Sequence, residues 1–85
     1  METRIAVMAI IVEDADAVEA LNAALHDFGA YIIGRMGIPY RDRGVNVVSI
    51  VIDAPQDAIA SLAGRIGGIG GVSVKTAYSN KIFKE

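Results

Sequence analysis

Residues 4–12, RIAVMAIIV, and 45–53, VNVVSIVID, carry apolar side chains at odd and even positions alike. Successive side chains of a strand point to opposite faces, so such runs predict strands that need cover on both sides. In the first run Ile5, Val7 and Ile11 oppose Ala6, Met8, Ile10 and Val12. In the second, Val45, Val47 and Val51 oppose Val48, Ile50 and Ile52. The chain has 85 residues, which predicts a single domain over 1–85. A domain so short has little interior to spare for two apolar sheet faces.

The segments after these runs change period. In EDADAVEALNAALHDFG, Val18, Leu21, Leu25 and Phe28 fall on one helical stripe. Asp14 or Asp16 is placed to cap its start, and Gly29 to stop it. In DAPQDAIASLAGRIG the stripe is Ile59, Leu62 and Ile66, with Pro55 in the first turn and Asp53 as a candidate cap. AYIIGRM reads as a strand before the second apolar run, and VSVKTAYS alternates as a last strand. The order β-α-β-β-α-β in one short chain predicts an α+β fold of the ferredoxin-like, split βαβ type. Right-handed crossovers put the first and third strands in the centre of a four-stranded antiparallel sheet, with two helices on one face. The other face stays bare, and apolar residues make up 53% of the chain. We therefore expect self-association, as a homodimer or homotetramer.

Composition removes several kinds of chemistry. There is no cysteine, so disulfides, zinc thiolates and thiol catalysis are excluded. The one histidine, His26, has no companion at metal-ligand spacing. The EDAD run at 13–16 lacks the glycine and regular spacing of a calcium loop, and capping accounts for it. GRIGGIGG follows a helix instead of preceding one, so it reads as helix termination and not as a phosphate loop. No catalytic constellation, metal site or cofactor motif is present in the pattern. A net charge of −2 gives no reason to expect direct binding to nucleic acid. The apolar run near the N-terminus is too short to span a membrane, and a cytoplasmic protein is expected.

One stretch resists a purely architectural explanation. GRMGIPYRDRG, residues 34–44, packs Arg35, Arg41 and Arg43 around Asp42, together with Tyr40, Pro39 and three glycines. Guanidinium groups hold carboxylate or phosphate with a rigid fork of donors. Two readings stand: a twisted hairpin whose arginines pair with acids of a neighbouring subunit, or a site for an anionic ligand or partner formed by Arg35, Tyr40, Arg41 and Arg43.

RIAVMAIIVED, YIIGRMGIPYRDRGVNVVSIVID and GGVSVKTAYS resemble the small regulators of the iron-only hydrogenase system. These are relatives of the ACT domain and of the ligand-binding domain of the nickel-responsive repressor. The similarity runs along almost the whole chain, and GRMGIPYR-RG is its most specific block. It implies a ferredoxin-like, ACT-like fold, an oligomer, and association with maturation or expression of an iron-only hydrogenase; the want of an acid–base pair adds the expectation of a non-enzymatic role. The chain departs from its wider relatives at VEDADAV, where ligand-binding ACT domains carry a glycine, and in having one histidine and no cysteine for nickel. Two functions follow as expectations: a sensing module that binds a small anion at a subunit interface, or an assembly module that contacts a protein partner without a small ligand.

Overall fold

The computed structural model describes residues 1–84. Strand β1 (Glu2–Val12) leads through a short turn of 3-10 helix at Ala15–Ala17 into helix α1 (Val18–Asp27). A second such turn at Gly29–Tyr31 precedes strand β2 (Ile32–Tyr40), and a third at Arg41–Arg43 joins it to strand β3 (Val45–Ala54). Helix α2 (Gln56–Gly67) and strand β4 (Val72–Lys84) complete the chain. The sheet order is β2-β3-β1-β4, antiparallel at each pairing. This is the ferredoxin-like βαββαβ plan, with the two apolar runs in the centre.

The interior lies between the sheet and the helices. Ala6, Met8, Ile10 and Val12 of β1 and Val48, Ile50, Ile52 and Ala54 of β3 are buried under α1 and α2. The helices answer with Leu21, Ala24 and Leu25 and with Ile59, Leu62 and Ile66. The stripes read from the sequence thus face the sheet, with Val18 and Phe28 packing at its margin. Asp14 caps the 3-10 turn and not α1 itself: its carboxylate accepts the Asp16 N–H at 2.9 Å, satisfying a donor that helical geometry leaves free. The cap position of α1 is Ala17, which makes no side-chain bond.

Three further details differ from the sequence reading. Asp53 does not cap α2; Pro55 occupies the cap position with no side-chain bond, and Asp53 Oδ1 is buried without a hydrogen-bond partner. Strand β2 continues through Gly34, Gly37 and Pro39 as far as Tyr40, so the connection to β3 is only Arg41–Gly44. An edge strand tolerates this proline because its missing N–H need not face a ladder. Strand β4 runs on to Lys84, beyond the alternating segment that marked it, after an irregularity opposite Arg4 and Ala6.

The far side of the sheet has no helix. Three rows cross it: Ile38, Val47, Ile11 and Ser73; Met36, Ser49, Ala9 and Lys75; Gly34, Val51, Val7 and Ala77. Met36 is 62% exposed, Ile38 52%, Val7 40% and Val47 36%.

Candidate functional site

Arg35 lies opposite Ile50 in the β2–β3 ladder, on the helix side of the sheet. It is held there from α1: its Nη2 donates to Asn22 Oδ1 at 2.9 Å. Asn22 follows Leu21, whose burial fixes the rotation of α1 and so turns Asn22 toward the β2 edge. Between helix and strand is a hollow of about 240 Å³. Val12, Val18, Leu21 and Val48 supply its apolar lining, and Asn22, Arg35 and Asn46 its polar groups. A site with apolar walls and a few fixed polar groups is the usual build of a small-molecule pocket.

A second hollow adjoins the first. Arg41, Ala15, Gly44, Val45 and Asn46 line it, and Asn46 belongs to both. The hairpin can turn here because Gly44 has φ 68°, a left-handed conformation that glycine adopts without steric cost. The turn presents Arg41 and Arg43 to solvent.

The four residues singled out from the sequence do not converge within one subunit. Arg35 is on the helix side. Tyr40 pairs with Val45 on the helix-free side. Arg41 lines the second hollow, and Arg43 lines neither. The sequence reading passed over Asn22 and Asn46. Asn46 had a readable signal, a lone amide in a run of valines; Asn22 had none, because nothing in its helix says which neighbour it will meet.

The arginines of this region meet no counter-charge among the described residues. Among the described residues, carboxylates pair with Arg65, whose Nη1 is 2.6 Å from Asp27 Oδ2, and with Lys84, whose Nζ is 3.9 Å from Glu2 Oε2. Arg35, Arg41 and Arg43 have no carboxylate of the described residues at ion-pair distance, Asp42 included. Elsewhere, Arg4 stacks over the Tyr78 ring at 4.8 Å and donates to Ser79 O and Gln56 Oε1. That cluster is closed and leaves no donor fork open. No group of three or more His, Asp or Glu side chains that could hold a metal ion gathers among the described residues. Nor is any described helix long and apolar enough to cross a membrane.

Comparison with known proteins places this architecture. Residues 4–76 match the model of the TM1266-like family, which carries the provisional description of iron-only hydrogenase system regulator. The structure of the uncharacterized protein TM1266 from Thermotoga maritima is similar at TM-score 0.86 and 32% identity, over 89% of this chain and 96% of that one. The ACT domain of GTP pyrophosphokinase from Chlorobium tepidum shares the fold at TM-score 0.75 and 17% identity, covering 88% and 99% of the two chains. A formyltetrahydrofolate deformylase from Pseudomonas putida contains the same fold at TM-score 0.61 and 17% identity; 92% of this chain corresponds to 29% of the enzyme. No curated protein matches the chain. An ACT-like sheet, a family match over most of the length and a close structural likeness agree, and the chain belongs to the TM1266-like family of iron-only hydrogenase system regulators.

Proposed function

We propose that the chain is a non-catalytic sensing module of the iron-only hydrogenase system, and that its signal is a small anion bound between α1 and β2. The observation that carries this reading is Arg35: an arginine without a carboxylate partner among the described residues, fixed by Asn22 at the side of an apolar hollow. A carboxylate or phosphate on the guanidinium would gain charge-assisted hydrogen bonds, and an aliphatic portion would lie against Val18 and Val48. Asn46 would supply a further donor or acceptor. Occupation would tie α1 to the hairpin, and any difference in the hairpin's position between the free and bound forms would be available to a partner.

The test is a thermal-shift screen of small carboxylates and phosphates with wild type and Arg35→Met. A ligand at a hundredfold excess over its Kd stabilises the native state by about 2.7 kcal/mol. For a domain of this size that is a rise on the order of 10 °C. Arg35→Met should abolish the rise while leaving the unliganded midpoint within a few degrees. An anion that stabilises both proteins equally would remove Arg35 from the site, and a screen in which no anion acts would refute the sensing role.

A second reading rests on Arg41 and Arg43, which are exposed on the connection between β2 and β3 with no described carboxylate at ion-pair distance. They suit an acidic segment of a protein partner in an assembly role. Capture of a hydrogenase-system protein from cells by wild type, and its loss on Arg41→Ala with Arg43→Ala, would favour that reading over the first.

A further inference from the structure

We propose that the anion bound between α1 and β2 is one end of an elongated dianion whose other end lies on Arg41. This rests on the anion site at Arg35 and names its class of ligand: two carboxylate or phosphate groups joined by an uncharged aliphatic spacer. Arg35 and Arg41 do not meet on one group, but the hollows they line adjoin, and Asn46 lines both. Neither guanidinium has a carboxylate of the described residues at ion-pair distance. The acids nearest in sequence leave the path clear. Asp42 follows Arg41, and Asp14 and Asp16 flank Ala15, yet none of the three lines either hollow.

Size and floor choose the ligand. The hollows measure about 240 and 250 Å³. Each alone is smaller than the ~300–1,000 Å³ of ordinary small-molecule sites, and the two together, at roughly 500 Å³, fall inside that range. Between the two arginines the floor is Gly37, opposite Val48, and Pro39, opposite Asn46. Both alternate with Arg35 and so share its side of the sheet. A Cβ added at Gly37 would meet nothing within 4 Å, so packing does not demand a glycine there. Its φ is not positive, so the backbone does not demand one either. A glycine inside a strand weakens it and marks places where another group comes close to the backbone. Here the missing side chain leaves clearance over which a spacer can pass, with Val12 and Val48 as apolar walls. The Gly37 and Pro39 rows are ~6.6 Å apart along the strand, and a ligand that reaches both arginines must cross both rows. Phosphate or a short diacid cannot do so.

The test is calorimetric titration of the full chain with straight-chain dicarboxylates from succinate to sebacate, with bisphosphonates of the same lengths, and with the matching monoacids. Tethering makes the second contact intramolecular, so affinity should rise steeply once the spacer spans both rows and decline slowly beyond that length, whereas a spacer too short gains nothing. The best diacid should bind roughly tenfold or more tighter than its monoacid, the effect of one added charge-assisted contact. Arg41→Met should bring that diacid down to the monoacid and leave the monoacid unchanged, while Arg35→Met should weaken both. Gly37→Leu should fill the path and weaken the diacid at least about tenfold, with an unliganded melting midpoint no lower than wild type. Should that variant fail to fold, the Arg41→Met comparison decides alone. Diacids no tighter than monoacids at every length, or an advantage that survives Arg41→Met, would overturn the elongated ligand and leave the anion site at Arg35 standing. Binding of no acid in any series would overturn both.

Discussion

Two glycines with positive φ divide backbone strain from steric conflict. Gly44, at φ 68°, would place an added Cβ in open space, whereas Gly71, at φ 81°, would place it 2.5 Å from Asp14 Cβ and 3.4 Å from Asp14 N. A left-handed conformation costs an L-residue roughly 1–2 kcal/mol. Removing a glycine from the unfolded chain returns about 0.4–1 kcal/mol of that. Gly44→Ala should therefore cost about 1 kcal/mol or less. Gly71→Ala bears the same term and a contact that two backbone-anchored atoms cannot relieve by rotating a side chain. Carbon atoms prefer about 3.5–4.0 Å, so the two segments must separate by roughly 1 Å. Separation stretches the bond from Glu13 N to Gly71 O, now 2.7 Å, and pulls on the Asp14 cap. With about 1 kcal/mol for each, the total is about 3 kcal/mol. Thermal melts at one fixed protein concentration should show a fall of roughly 12–24 °C for Gly71→Ala against less than about 8 °C for Gly44→Ala. Asp14→Gly removes the opposing Cβ and should recover part of the loss in the double variant, a coupling that a double-mutant cycle measures directly. Equal falls for the two alanine variants, or no coupling to Asp14, would refute the steric account.

Ile50→Asp should cost several kcal/mol or unfold the chain in urea titrations, since Ile50 is wholly buried at the middle of a central strand and offers a carboxylate no donor. Arg65→Ala should change stability by less than about 1 kcal/mol despite the short distance to Asp27, because both side chains are around half exposed and water screens the pair. Arg4→Met should cost about 1–2 kcal/mol, through lost bonds to Ser79 and Gln56 and the lost stack on Tyr78. Lysine at that position should restore only part of it, because one ammonium cannot reproduce the forked pair of bonds to Ser79 O together with the bond to Gln56 Oε1.

How much could be read from the amino acids differs between fold and site for physical reasons. The strand and helix order was legible because burial repeats: each core position recurs with the period of its element, and many residues agree. The end of β2 was not, because Gly34, Gly37 and Pro39 look like a loop until the strand is known to lie at an edge, where a missing N–H costs nothing. Asp53 looked like a cap because it precedes a helix by three residues, yet Pro55 sets the entry and the carboxylate points elsewhere. The arginines were conspicuous by composition. The placing of Arg35 on the helix side of the sheet depends on a one-residue irregularity between Ile32 and Gly34, which shifts the alternation of everything after it. The Arg35–Asn22 bond joins residues whose meeting depends on that shift and on the rotation of α1, so neither residue announces the other.

The pairing of Glu2 with Lys84 sets the first and last strands of the sheet side by side, about 5 Å apart. Order of synthesis is therefore the reverse of order of need: the strand made first is held between partners made much later, and the nascent protein must keep an apolar segment waiting until β3 and β4 emerge. A short turn joining the ends would convert the most distant pairing in the chain into a hairpin, the most local kind. New ends could then open at Asp42 in the exposed β2–β3 turn. Such a permuted chain would keep every strand neighbour but exchange one distant pairing for another, since β3 and β2 would then stand at its two ends. Its folding rate should stay close to that of the natural order, to the extent that closure of distant contacts limits the rate.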